Sequence, residues 1–159
     1  MANDVLMSIG GAKCPSGAGR TFDRLDPVTG HVATRAAAAS SLDAVRAAEA
    51  AAAAFPAWSS LGPNTRRAAL LRAAETLEGQ GEKFVDAMMS EIGATEGWAR
   101  FNLMLAAGIV REAASMTTQI SGEVIPSDRP GCISMAMREP VGVVLGIAPW
   151  NAPIILGVR

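Results

Sequence analysis

The chain has 159 residues, half of them hydrophobic, and a formal net charge of -1 with both signs mixed along its length. That length suffices for one ordinary domain with its own core, and the near-neutral balance excludes the basic footprint of a nucleic-acid or anionic-membrane binder. Tyr is absent and aromatics make up 4% of the residues, so with alanine dominating the hydrophobic content any core rests on few large side chains.

Val5–Ile9 followed by Gly10-Gly11 reads as a short strand entering a turn. Thr21–Leu25 and His31–Arg35 read as two further strands. They flank Asp26-Pro27-Val28-Thr29-Gly30, a turn in which proline presets φ and glycine admits positive φ. Ser40 is placed as an N-cap with the carboxylate of Asp43 at N3, opening a helix through the alanine run. That helix is expected to stop near Phe55, ahead of Pro56. A second helix runs from Gly62-Pro63-Asn64-Thr65 to about Leu77, and a third from Glu82 to Ile92 with Gly93 just beyond it.

The longest helix starts near Thr95 and reaches about Gln119. Along it Trp98, Phe101, Leu105, Ile109, Ala113, Met116 and Ile120 recur at spacings of three or four, an apolar stripe expected to face the core. Pro126–Gly131 is a polar turn, and Cys132–Arg138 alternates as a strand of an exposed hairpin arm. Val141–Ile147 is a continuous apolar run and reads as a strand buried on both faces, as in a parallel α/β sheet. Pro149–Pro153 is a turn, and a helix restarts at Ile154. A parallel strand needs a crossover connection and a partner. With Arg159 as its last residue, the chain is expected to hold an incomplete α/β fold.

Cys14 and Cys132 fit no metal-ligand spacing and read as reduced thiols of a cytoplasmic protein. Met1–Gly11 lacks the basic start and apolar run of a signal peptide, and no apolar run is long enough to span a bilayer. His31, the single histidine, has no nucleophile paired with it. Gly142 and Gly146 sit inside the apolar strand and make no dinucleotide-binding turn.

The segment from Arg138 through Pro140-Val141-Gly142-Val143 to Pro149-Trp150-Asn151-Ala152-Pro153 resembles the strand-to-helix segment of the aldehyde dehydrogenase superfamily. The family pattern is Pro-(Val/Ile)-Gly-Val running into Pro-Trp-Asn-x-Pro. Asp26–Gly30, Phe55-Pro56-Ala57-Trp58 and Gly122–Pro126 extend the resemblance over nearly the whole chain. Trp98, Ala152 and Arg159 together resemble the branch that acts on aromatic aldehydes such as salicylaldehyde or vanillin.

The resemblance implies an α/β fold: the N-terminal part of the family's architecture, an incomplete Rossmann-like cofactor domain with a β-hairpin oligomerisation arm. It divides the chain into strands and helices of the cofactor domain over 1–121, the arm over 122–138 and the start of the parallel-sheet core over 139–159. It implies NAD(P)-dependent oxidation of an aldehyde to its acid through a cysteine thiohemiacetal and thioester. Asn151 matches the asparagine whose neutral amide N–H faces the developing oxyanion, where one such donor is worth about 3–4 kcal/mol. Ile147, Ala148, Pro149 and Trp150 match the segment along the NAD or NADP cofactor. Trp98, Ala152, Ile155, Leu156 and Arg159 match the aldehyde channel, where Ala152 leaves room for a flat ring and Arg159 is suited to a ring hydroxyl.

Neither cysteine matches the family's nucleophile. The chain is therefore expected to supply the oxyanion asparagine but not the thiolate, and to be inactive alone. A cytoplasmic homo-oligomer acting on a small aldehyde, with no nucleic-acid or membrane partner, is implied. The alternative is a non-catalytic fragment that pairs with full-length subunits through the edge of the arm. Plainer roles stand beside these: core packing for Trp98, turn formation for Asn151 and a solvated terminus for Arg159.

Overall fold

A computed structural model describes residues 3–159. Of the segment examined for a signal peptide, Met1 and Ala2 lie outside the described residues. The first strand expected from sequence is divided into β1 (Asn3–Val5) and β2 (Met7–Ile9), which join different sheets. β2 turns back through Gly10-Gly11 onto β3 (Ala12–Cys14), with Met7 opposite Cys14. β4 (Thr21–Leu25) and β5 (Val32–Ala37) form an antiparallel pair, and β1 adds in parallel to the other side of β5. The turn between β4 and β5 is the expected one. Asp26 Oδ1 accepts from the N–H groups of Val28 and Thr29 at 2.8 and 3.0 Å, and Gly30 takes φ 73°. The hydrogen bonds from Thr29 and Val28 hold the Asp26 carboxyl below its ordinary value.

Helix α1 (Ser41–Ser59) begins at the predicted cap: Ser40 Oγ accepts from Asp43 N–H, and the Asp43 side chain accepts from Ser40 N–H. Asp43 is only 2% exposed and also receives Gly17 N–H at 3.1 and 3.2 Å and the Arg46 guanidinium. One carboxylate thus ties the loop before β4 to the first turn of α1. Contrary to the sequence expectation, α1 continues through Pro56 to Ser59. Proline removes one helical N–H, but the turn that follows is secured by other bonds. Ser59 Oγ and Ser60 N–H donate to Pro56 O, and Ser60 Oγ donates to Ala57 O. The alanine run before Pro56 supplies enough propensity to carry the helix across.

α2 (Pro63–Gly79), α3 (Gly81–Ile92) and α4 (Glu96–Met116) follow, with Pro63 at the first turn of α2 and Gly93 closing α3 in the left-handed region at φ 67°. α4 packs along α2, α3 and the short α5 (Pro153–Val158). Its buried face carries Ala99, Asn102, Ala106, Ala107 and Ala114. The sequence placed Trp98, Phe101 and Leu105 inward, yet these are 41, 42 and 37% exposed. The helical period is right, but the buried face is displaced by one residue, roughly 100° around the axis. Small side chains let α2 and α4 approach closely, with Ala74 and Ala106 both fully buried, and the bulky ones are left on the other face. The buried polar residues on this face bond within their own helix. Asn102 Nδ2 donates to Trp98 O at 3.3 Å, and Thr117 Oγ1 donates to Ala114 O at 3.0 Å.

The α2–α4 pair is tied at both ends of its contact. Arg67 donates to Ala114 O and Thr118 Oγ1 at 3.1 and 3.0 Å, capping the last carbonyls of α4. Arg111 makes a two-pronged ion pair with Glu78. A small apolar core of Val85, Met88 and Ala99, with Ile92, Ala94 and Ile154 against it, joins α3, α4 and α5.

Beyond α4, β6 (Glu123–Ile125) and β7 (Ser134–Ala136) form the expected hairpin, with Val124, Ile133 and Met135 exposed. Val141–Ile147 departs from expectation: it forms no strand, and Val141, Leu145 and Ile147 are 90, 84 and 84% exposed. A strand is a property of a ladder, and no described segment offers this run a neighbouring edge.

Asp43→Asn is expected to lower resistance to urea at pH 7, read by helical circular dichroism. The folded-state pKa of Asp43 is depressed by the Ser40, Gly17 and Arg46 bonds, so its contribution is full above the ordinary carboxyl value of 3.8 and fades as the pH falls toward the folded value. The gap between the parent and the variant should therefore close in acid. A gap that stays constant from pH 7 down to pH 2 would contradict this role for Asp43.

Candidate functional site

Trp150, Asn151 and Ala152 form the turn that opens α5, whose first residue is Pro153. Proline suits that position, since its missing N–H would have no helical partner there. Two elements distant in sequence grip this turn. From α4, Trp98 Nε1 donates to the main-chain oxygen of Asn151 at 3.0 Å. From β4, the Arg24 guanidinium lies over the Trp150 ring, 3.9 Å from its centroid. The β4–β5 register shifts between Arg24 and Leu25, and such irregularities re-aim side chains. Arg24 also reaches the main-chain oxygen of Glu91 at 3.5 Å, while the Glu91 carboxylate accepts from the buried Thr34 hydroxyl at 2.6 Å. The end of α3 is thereby linked to both β4 and β5.

Trp98 itself is firmly set. Its N–H is capped by Thr95 Oγ1, its carbonyl accepts from Asn102, and its ring stacks with Phe101 at 5.6 Å between centroids. With Trp150, Asn151, Pro27, Ile92 and Ala94 it lines an open, largely apolar cleft of about 540 Å³. Gly93 makes the wall of this cleft possible: a side chain there would come within 2.9 Å of Pro27. Trp150 also borders a neighbouring cleft with Arg24, Glu91, Ala148 and Ile154. Among the described residues, the Asn151 side chain is exposed and makes no hydrogen bond. An amide donor free of internal partners among the described residues, on a turn held at its main-chain oxygen by Trp98 and at the neighbouring ring by Arg24, can serve an oxygen that gains negative charge.

The residues singled out in the sequence fall into separate groups. Asn151, Trp150 and Trp98 meet at one cleft. Ala148 lies on the neighbouring cleft, and Ile147 and Pro149 are exposed on the approach to the turn. Ala152, just before α5, and Ile155 on α5 are each 7% exposed, and α5 packs against α4. Leu156 is half-buried and Arg159 exposed; neither lines the cleft of Asn151. Cys14 is half-buried in β3 and Cys132 is exposed before β7, both as free thiols away from that cleft. Sequence reasoning missed Arg24, Pro27 and Glu91. Arg24 lies in β4, Pro27 in the turn after it and Glu91 on α3, with no local pattern that announces a contact made across the fold.

The aldehyde dehydrogenase family model matches residues 14–159, and the chain belongs to that family. It is 57% identical over 156 residues to a vanillin dehydrogenase of Pseudomonas fluorescens, covering 98% of this chain and 32% of that protein. Its fold superimposes on a salicylaldehyde dehydrogenase of Pseudomonas putida G7, solved with salicylaldehyde, with TM-score 0.95 and 42% identity over 98% of this chain and 32% of that one. An NAD-dependent benzaldehyde dehydrogenase of Corynebacterium glutamicum gives TM-score 0.89 and 33% identity over 94% of this chain and 33% of that one. The chain thus spans about a third of the length of the relatives it matches. Its mixed α/β arrangement is that of a portion of the family fold, and no described helix is long and apolar enough to cross a membrane.

Arg24→Met keeps the apolar stem and removes the cation over Trp150. It is expected to lower stability by about 0.5–1 kcal/mol in urea unfolding, with Arg24→Lys losing less. Equal losses in the two variants would show that the charge over the ring contributes nothing.

Proposed function

We propose that this chain forms part of a cytoplasmic, NAD(P)-dependent dehydrogenase that oxidises an aromatic aldehyde to its acid, and that Asn151 is its oxyanion donor. The observation that carries the reading is the Asn151 amide, unpartnered among the described residues, on a turn whose main-chain oxygen is fixed by Trp98. In the addition step the aldehyde oxygen gains negative charge. Two N–H groups of a neutral amide stabilise that charge without competing as a base. The flat apolar cleft between Trp98 and Trp150 suits an aromatic ring. Vanillin and salicylaldehyde, named for the relatives above, are the substrates to try first.

The exposed, apolar Ile147, Ala148 and Pro149 and the Trp150 ring fit one wall for a nicotinamide cofactor. That cofactor, when bound, accepts the aldehyde hydride. Ala152, Ile155, Leu156 and Arg159 are proposed to shape the far side of the aldehyde channel, with Arg159 facing a ring hydroxyl. Neither Cys14 nor Cys132 lines the Asn151 cleft, and the nucleophile is assigned to neither. The cofactor-domain portion is proposed to span 1–121 and 139–159, with the β6–β7 hairpin of 122–138 as an oligomerisation arm. The exposed Val124, Ile133 and Met135 on that hairpin favour a second reading, in which the chain pairs with full-length subunits without catalysing. Co-purification of the chain with a full-length relative tests it.

For the first reading, the chain is joined to the complementary two-thirds of the vanillin dehydrogenase, and aromatic-aldehyde oxidation is followed as reduced nicotinamide. Asn151→Ala is expected to lower kcat about 10²–10³-fold. An unchanged kcat in that variant, or no oxidation by the parent, would overturn the reading.

A further inference from the structure

We propose that Trp98 is a positioning residue for Asn151: its indole N–H fixes the Asn151 main-chain carbonyl and so sets the direction of the Asn151 amide. This rests on the oxyanion reading for its catalytic consequence, but the contact itself stands on geometry. The N–H to oxygen distance is 3.0 Å, within the ordinary range for such a bond. Trp98 is the right kind of anchor because its own position is over-determined. Thr95 Oγ1 caps its main-chain N–H, Asn102 holds its main-chain carbonyl, and Phe101 stacks on its ring.

Asn102 gives the arrangement a second root. It is fully buried, spends its Nδ2 on Trp98 O, and its Oδ1 has no partner among the described residues. A buried polar group half-satisfied in this way is unfavourable on its own account, and the bond it does make stiffens the turn of α4 that carries Trp98. Asn151 needs such support. Its side chain makes no hydrogen bond among the described residues, and Gly157 and the exposed Val158 leave α5 only six residues of helix to hold it from the other side. An amide that must meet an oxyanion loses its effect when displaced by a fraction of an ångström to one ångström.

The role differs from that of a channel wall. A wall contacts the aldehyde and affects its binding, whereas an anchor for the oxyanion donor affects the step in which charge develops. Trp98→Phe separates them, since phenylalanine keeps a ring beside Phe101 and the cleft but has no N–H.

Two measurements test the proposal. In the chain labelled with 15N-tryptophan, the Trp98 indole N–H is expected to exchange with solvent about tenfold more slowly than those of Trp58 and Trp150, and its signal is identified by its loss in Trp98→Phe. Exchange at the rate of the other two indoles overturns the contact. In the joined dehydrogenase, Trp98→Phe is expected to lower kcat about tenfold or more while KM changes less than about twofold. A raised KM at unchanged kcat makes Trp98 a wall only and overturns the positioning role. If Asn151→Ala leaves kcat unaltered, the oxyanion reading fails separately, and the exchange rates still decide whether Trp98 holds the Asn151 carbonyl.

Discussion

A single turn, Trp150-Asn151, is held between two anchors that come from opposite parts of the chain. Trp98 reaches it from the first turn of α4, and Arg24 reaches it from β4. Most of the remaining structure positions those two side chains. The small core of Val85, Met88 and Ala99 seats α3, α4 and α5 together beneath the turn. The alanine face of α4 lets it lie close along α2, which leaves Trp98 off that contact and on the cleft. The sheet of β1, β5 and β4 is joined to α3 by the Thr34–Glu91 hydrogen bond, and Arg24 reaches from β4, beside the β4–β5 register shift, to the ring of Trp150.

This division of labour explains why so small an aromatic complement is enough. Two of the three tryptophans sit at the cleft rather than in the core, and alanine provides the close helix packing that larger chains would obstruct. The cleft therefore offers apolar faces and, among the described residues, one uncommitted amide, with the Arg24 guanidinium engaged on the ring of Trp150.

Local signals in the sequence suffice wherever a few adjacent residues decide the conformation. The Ser40–Asp43 cap, the Asp26–Gly30 turn, Gly93 at the end of α3 and the Pro149–Pro153 turn all appear as expected. Errors arose where a distant partner decides. Pro56 was read as a stop, but hydrogen bonds from Ser59 and Ser60 carry α1 past it. The stripe on α4 was placed one residue away from its true face, because residue size at the α2 contact outweighs hydrophobicity there. Val141–Ile147 has the composition of a buried strand but no neighbouring edge to pair with. Within the site, the Pro-Trp-Asn motif pointed to Asn151, and the resemblance pointed to Trp98. Arg24 was invisible, because no pattern near it in sequence marks a contact that closes only in three dimensions.

The most direct test of this arrangement is a crystal structure of the joined dehydrogenase with an aromatic aldehyde bound. The aldehyde oxygen is expected about 2.7–3.1 Å from Asn151 Nδ2, with the Trp98 indole N–H still on the Asn151 carbonyl. An Asn151 amide turned away from the aldehyde, with its carbonyl released by Trp98, would contradict the central claim.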